Sequence, residues 1–330
     1  MNFFNRVKLA VSYWLRRPTV WGMPLEASIE VTTRCNLACT MCPRQLINRP
    51  LQEMEFSLFK KIIDEMKDSA ELIYLHGLGE PLLCSQFFKF LEYAKSQNLK
   101  VGISTNATLL GQTQSKKLLD LELDYLILAL DGATKKTYEK IRVGGDFEQV
   151  ETNIKNFLAM KKRRKKSPFT VIQFITMKEN KEEVGLFLEK WRNCGAEAIR
   201  VKPVVDFFGR QKPKKANAFL RCFYPYRMIN IYFDGTVVPC CEDNFGNYAL
   251  GNIKEKSLKE IWNGPQARIL RQKLAAGGRE EIPLCRACHY PQPSAWGILG
   301  VTLFGNFTVK KILPFLERVP AFRKRMIIYD

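Results

Sequence analysis

The chain has 330 residues, 46% of them hydrophobic and 12% aromatic, with 20 glycines and 16 prolines, a composition that can fill a sizeable core and excludes a disordered or fibrous protein. Its 52 lysines and arginines against 33 acids leave a net charge of +19, which favours anionic partners such as phospholipid headgroups, nucleic acid or phosphorylated metabolites. Ten cysteines are too sparse for a disulfide scaffold at this length, and two histidines leave little material for a histidine-based metal site.

No apolar run followed by a small-x-small cleavage site opens the chain, so no secretory signal is expected. Phe4, Val7, Val11 and Trp14 share one face of an N-terminal helix over residues 1–25, flanked by Arg6, Lys8, Arg16 and Arg17, with no acid before Glu26. Such a basic amphipathic segment suits an anionic membrane interface; it equally suits a helix that caps a barrel and packs on a second domain.

From Ala27 onward, short apolar runs alternate with amphipathic stretches, the pattern of parallel βα units. Strands are expected in "ASIEVT", "ELIYLHG", "KVGIST", "YLILALDG", "TVIQFITM" and "AEAIRVKPV". Helices are expected near Ser57 to Lys67, Ser85 to Gln97, Gln114 to Leu121, Phe147 to Lys162 and Lys181 to Cys194. The fold class is therefore α/β, a partial (β/α)6 TIM-like barrel over residues 26–210. A Pro- and Lys-rich linker reaching about Lys215 leads into a smaller unit at 216–295. There Asp234-Gly235 between two apolar runs marks a hairpin, and Ser257 with Glu260 has capping-box spacing. Residues 296–330 form a basic amphipathic tail with Lys310, Lys311, Arg318, Arg323, Lys324 and Arg325. The uncharged stretch His289 to Val309 is broken by prolines, glycines, Gln292 and Asn306, so it is not expected to span a membrane.

Cys35, Cys39 and Cys42 lie in "CNLACTMC" directly after the first strand, at the barrel mouth where βα loops carry chemistry. Three thiolates on one loop can hold three irons of a 4Fe-4S cluster and leave the fourth open to a substrate or cofactor. A structural zinc loop would need a fourth ligand, and none lies nearby in sequence.

At these residues the chain resembles the radical S-adenosylmethionine (SAM) superfamily, whose signature is CxxxCxΦC; Met41 stands at the usually aromatic position. The resemblance implies that SAM chelates the open iron and is cleaved to methionine and a 5′-deoxyadenosyl radical that abstracts hydrogen from a substrate. It also implies that "HGLGEP" is the edge that meets the methionine amino group, through Gly79 and Glu80, with Leu78 replacing the family's first glycine. "ISTNA" supplies Ser104 and Asn106 for the SAM ribose or carboxylate. "LALDG" supplies Asp131 and Gly132, with Ala129 where relatives often carry serine, and Arg142 is a candidate partner for a carboxylate. Each of these segments alone is an ordinary turn or cap; their order after the cysteine loop carries the resemblance.

Cys222, Cys240, Cys241, Cys285 and Cys288 fall in the second unit, with Gly235 five residues before Cys240 and "LGNI" and "SLKEIW" after the hairpin. This resembles the SPASM or twitch extension of radical SAM enzymes and implies one auxiliary 4Fe-4S cluster on Cys222, Cys240, Cys285 and Cys288. Adjacent strand residues face opposite ways, so Cys241 is the alternative to Cys240. A four-cysteine zinc site is the plainer reading of the same set. Cys84 and Cys194 read as core residues, and His76 as either a mouth residue or a packing histidine.

The resemblance further implies an enzyme that uses a reductant such as flavodoxin or ferredoxin. Its catalytic residues beyond the cofactor sites are unknown. Its substrate is a peptide or protein, a lipid-linked molecule or a small polar metabolite. The segment before the first strand is too short for a winged-helix leader-peptide domain. The expected location is cytoplasmic, with peripheral contact to the inner face of the membrane. Two other classes stay open: an RNA-binding or RNA-modifying iron-sulfur protein, prompted by "KKRRKK" at 161–166, and a non-catalytic iron-sulfur electron carrier.

Overall fold

The computed structural model describes residues 2–204, 222–286, 288, 295–305, 308 and 311–312. Most of the linker and the basic residues Lys310, Arg318, Arg323, Lys324 and Arg325 lie outside the described residues. In chain order the first elements are α1 (Asn2–Trp14), β1 (Glu26–Ile29), α2 (Phe56–Met66), β2 (Leu72–Tyr74), α3 (Phe87–Ser96), β3 (Lys100–Thr105) and α4 (Gln112–Asp120). There follow β4 (Tyr125–Ala129), α5 (Lys135–Ile141), α6 (Phe147–Lys162), β5 (Phe169–Thr176), α7 (Val184–Trp191) and β6 (Ala198–Pro203). The remainder are α8 (Tyr224–Arg227), β7 (Met228–Ile231), β8 (Thr236–Val238), β9 (Gly251–Asn252), α9 (Leu258–Trp262), α10 (Pro265–Ala276), α11 (Pro283–Arg286) and α12 (Ala295–Phe304).

Two compact units share these elements. One comprises Glu30–Phe56 and Tyr74–Arg210. Its strands β3, β4, β5 and β6 run parallel in that order, with Ile103 opposite Leu126, Leu126 opposite Thr170 and Gln173 opposite Arg200. β4 is a continuous buried apolar run and most of β5 is buried, as expected where helices cover a parallel sheet, whereas β6 carries Arg200 and Lys202 and is partly exposed. The set does not close on itself, so the barrel is partial.

The other unit comprises Met1–Ile29, Ser57–Ile73 and Gln211–Asp330. Here β1 pairs in parallel with β7, and β7, β8 and β9 continue as an antiparallel meander. Gly235 takes φ +92° in the turn between β7 and β8, the left-handed conformation for which the Asp-Gly pair is suited. The arginine Arg271 is fully buried and donates to the carbonyls of Pro225 and Pro18 at 2.8 and 3.1 Å, stacked 4.4 Å over Trp262. Burial lowers its pKa to about 10.

Helix α9 starts at the expected capping box: Ser257 accepts from the Glu260 amide, and the Glu260 carboxylate accepts from the Ser257 amide at 2.9 Å. Ser257→Ala is expected to cost about 1 kcal/mol, read as a lower urea midpoint; an unchanged midpoint would show that the box adds nothing to this helix.

α1 packs within its unit by the face that carries Leu9, Ala10 and Tyr13, with the Tyr13 ring 5.0 Å from Phe223 and 5.4 Å from Tyr226. Of the stripe read from sequence, Phe4, Val11 and Trp14 are exposed on the opposite side and Val7 is half-buried. Among the described residues no helix is long and apolar enough to cross a membrane.

Candidate active site

The cysteine loop begins where β1 ends, because Glu30, Val31 and Thr32 leave the strand for other partners. The Val31 carbonyl accepts from Met54, Thr32 bridges to Glu53, and Glu30 forms a two-toothed pair with Arg49 at 2.6 and 3.1 Å. The loop is then held on three sides by segments of its own unit.

The first is the Gly-Glu-Pro edge. The Glu80 amide donates to the Arg34 carbonyl at 2.8 Å, and a Cβ on Gly79 would stand 2.2 Å from the Thr32 carbonyl oxygen and 2.8 Å from that of Arg34. Only glycine fits this approach. Gly79→Ala is expected to push the edge off the loop at a cost of about 1–3 kcal/mol and to lower the iron bound after reconstitution. An alanine variant with wild-type iron and stability would show that the approach is dispensable.

The second is the end of β3. The fully buried Glu80 carboxylate accepts from Thr105 Oγ1 at 2.6 Å, from the Asn106 amide at 2.8 Å and from the Leu82 amide at 3.2 Å. Burial pushes its pKa up against these hydrogen bonds. Asn106 Nδ2 donates to Asn36 Oδ1 at 3.0 Å and lies 4.0 Å from Cys35 Sγ, while Asn36 Nδ2 donates to Thr108 Oγ1 at 2.8 Å.

The third is the end of α5. The amides of Ala38 and Thr40, either side of Cys39, donate to the carbonyls of Val143 and Ile141 at 2.9 and 3.0 Å. Between those carbonyls sits Arg142, whose Nε and Nη2 donate to Asp131 Oδ2 at 2.9 and 2.5 Å. Asp131 Oδ1 accepts from the Ile175 amide at 2.6 Å and the Asp131 carbonyl accepts from Asn180 at 3.0 Å. Burial opposes the charge on Arg142, but Asp131, with Cys39 and Tyr138 adding to it, raises the guanidinium pKa.

None of the ten cysteines is in a disulfide. Burial pushes the Cys35 thiol up and that of Cys39 to about 11, with the neighbouring thiols adding to the rise and Arg44 and Arg142 respectively opposing it. The three side chains are thus close enough to feel one another and are flanked by cations, with Cys39 buried and Cys35 and Cys42 half-buried. This donor set fits an iron-sulfur cluster, which would supply the positive charge that ionises the thiols. Among the described residues no three His, Cys, Asp or Glu side chains converge as ligands of one metal ion.

Of the residues expected around SAM, Gly79, Glu80, Asn106, Asp131 and Arg142 meet or neighbour the cysteine loop. Ser104 is one step along β3, its amide donating to His76 Nδ1 at 3.0 Å. Met41 is half-buried on the loop. A Cβ on Gly132 would collide with Tyr138 at 2.7 Å, so this glycine serves the packing of α5. Asn36, Thr105, Thr108 and Asn180 were missed; their polar character at strand ends is the only sequence signal they give.

In the other unit, Cys222, Cys240, Cys285 and Cys288 form a second set. Burial pushes Cys222 and Cys285 to about 12, with Cys288 adding to both, and pushes Cys240 well up, with Cys241 and Cys222 adding. Cys222 packs with Cys240 and Cys241 against Tyr224 and Met228, and with Cys285 against Leu270, Leu274 and Ile282. Arg279 donates to the carbonyls of Cys285, at 2.8 Å, and Cys288. These four thiols fit a second cluster. Cys84 is a core residue whose thiol donates to Glu53 at 3.8 Å, and Cys194 is half-buried.

In the run 161–166, Lys161 is buried and pairs with Glu197 at 2.5 Å, Arg164 pairs with Asp120 at 2.6 Å and Lys166 with Glu122 at 3.0 Å. Three of its six cations are therefore neutralised inside their own unit.

Comparison with known proteins agrees with the geometry. Residues 29–190 match the radical SAM superfamily, and residues 222–289 match the SPASM iron-sulfur cluster-binding domain. The chain is 26% identical over 285 residues to the tungsten-containing aldehyde ferredoxin oxidoreductase cofactor-modifying protein of Pyrococcus furiosus, covering 71% of this chain and 79% of the relative. It is 25% identical over 264 residues to the S-adenosyl-L-methionine-dependent 2-deoxy-scyllo-inosamine dehydrogenase of Niallia circulans, covering 79% and 91% respectively. The fold is shared with Streptococcus suis SuiB bound to S-adenosylmethionine, at TM-score 0.64 and 17% identity over 86% of this chain and 76% of that one. A cysteine loop of the superfamily's spacing, held by conforming strand ends and followed by a second cysteine set, makes this chain a radical SAM enzyme with a SPASM-type domain.

Proposed function

We propose that this enzyme oxidises its substrate by removing a hydrogen atom from an unactivated carbon and then an electron. Cys35, Cys39 and Cys42 would hold the SAM-cleaving 4Fe-4S cluster, and Cys222, Cys240, Cys285 and Cys288 one auxiliary 4Fe-4S cluster. When bound, the two groups supply the electron that splits SAM into methionine and the 5′-deoxyadenosyl radical, and take up the electron that the substrate radical gives up. The balance is one SAM consumed, one 5′-deoxyadenosine and one methionine formed, and one substrate carbon oxidised by two electrons with loss of a proton. A flavodoxin- or ferredoxin-like reductant would deliver the first electron.

The chain's own residues would bind and orient. Gly79 and Glu80 present backbone to the SAM amino group, Ser104 and Asn106 its ribose and carboxylate, and Met41 packs on its adenine. Arg142 donates twice to Asp131, which also accepts from the Ile175 amide, so the part of this neutral pair is to set the rim's shape.

The observation that carries this reading is the second set of four half-buried thiols, which would give a substrate radical somewhere to leave its electron. The Niallia circulans relative, named as a SAM-dependent dehydrogenase, is in keeping with it. The substrate class is a peptide, a lipid-linked molecule or a small polar metabolite; SuiB has been captured with the precursor peptide SuiA, and the Pyrococcus furiosus relative is named for modifying a cofactor. The test is product counting on a substrate found by screening: one oxidised product per 5′-deoxyadenosine without a stoichiometric external oxidant supports the reading. A redox-neutral product would overturn it.

A further inference from the structure

We propose that the outward faces of α1 and α12 form a docking surface for an anionic lipid bilayer. Both helices belong to the same unit and pack against one another. α1 is apolar on two opposite sides. Leu9, Ala10 and Tyr13 satisfy the inward side. Phe4, Val11 and Trp14 recur at helical spacing on the other, with Phe4 73% and Trp14 50% exposed. Trp21, just beyond the helix, is also exposed, and Arg17 stacks 4.3 Å over its ring.

α12, "AWGILGVTLF", contains no charged residue. It buries Gly297, Ile298 and Val301 and leaves Trp296 64% and Phe304 63% exposed, with Leu299 and Leu303 beside them. Single exposed apolar residues are ordinary, but two packed helices that each keep an aromatic-rich apolar face in water are not.

Charge selects the occupant. Lys8, Arg16 and Lys311 are exposed at the margins, and residues 1–25 and 295–312 contain no acid. Self-association through this face would bring two basic margins together, whereas anionic headgroups complement them and the tryptophans favour the headgroup level. At 13 and 10 residues the helices are about 20 and 15 Å long, too short to span roughly 30 Å of hydrocarbon, so they would lie in the interface.

The surface is independent of the cluster chemistry and its test can fail separately. Full-length reconstituted enzyme is floated with phosphatidylcholine vesicles, with or without phosphatidylglycerol, beside Phe4→Ser/Trp14→Ser and Trp296→Ser/Phe304→Ser. Binding to the phosphatidylglycerol vesicles that falls about tenfold or more in either variant, with SAM cleavage and circular dichroism unchanged, is the expected result. No binding of the parent chain, equal binding of the variants, or a dimer in solution that the substitutions dissociate would overturn the proposal; the last would assign the face to a second copy.

Discussion

Replacing Arg142 with leucine is expected to destabilise the protein by about 3–5 kcal/mol, because it strands a carboxylate in the interior. Asp131 is fully buried with φ +61° at the end of β4, and Arg142 meets its Oδ2 with two donors. The pair joins β4 to the end of α5, and Asp131 Oδ1 carries the bond on to β5 through the Ile175 amide. Since the carbonyls either side of Arg142 hold Ala38 and Thr40 of the cysteine loop, the same substitution is expected to lower bound iron. Lysine keeps the charge but not the two-pronged contact, so Arg142→Lys should recover only part of the loss. A urea titration of the reconstituted proteins measures this; a loss under about 1 kcal/mol for leucine would mean that the unit relaxes around Asp131 and that the rim is not built on this pair.

The second large effect concerns the auxiliary thiols. Cys222→Ser and Cys240→Ser are each expected to remove about four of about eight irons per chain, while Cys241→Ser keeps them. Cys222 is the thiol through which the set is connected, with Cys288, Cys240 and Cys285 all within its electrostatic reach. The Cys35 set lies in the other unit, so 5′-deoxyadenosine should still form in these variants while oxidised product is lost. Iron and zinc counts on the purified proteins decide the matter. Iron lost with Cys241→Ser but kept with Cys240→Ser would reassign the ligand, and zinc in the parent chain would replace the cluster with a structural ion.

Regular periodicity made much of the fold legible. "KVGIST" is β3 and Phe147 to Lys162 is α6 at the expected bounds, since each runs unbroken between clear end signals: the extended strand pattern for one, the Asp146 cap for the other. The strand "ASIEVT" ends early because Glu30, Val31 and Thr32 are drawn to Arg49, Met54 and Glu53, contacts 19 to 23 residues away that no local pattern encodes. Helix α5 escaped notice because only Tyr138 and Ile141 of "KKTYEKI" are buried; its one local sign was the Thr134 cap.

The site divides the same way. Spacing marked the cysteines, and segment order marked Gly79, Glu80 and Asn106. The polar partners Asn36, Thr105 and Thr108 become visible only when β3 and the cysteine loop converge. In α1, the helix packs within its unit by Leu9 and Tyr13, whereas Phe4, Val11 and Trp14 of the stripe legible in the sequence are left in water.

The most direct measurement is 5′-deoxyadenosine released from SAM by anaerobically reconstituted, dithionite-reduced enzyme beside Cys35→Ala, with iron counted on both. The account predicts 5′-deoxyadenosine from the parent chain and none from the variant, which should also lose about four of about eight irons. Equal release by the two proteins, or none from a parent chain carrying its full iron and a reducible cluster in the presence of substrate, would contradict it.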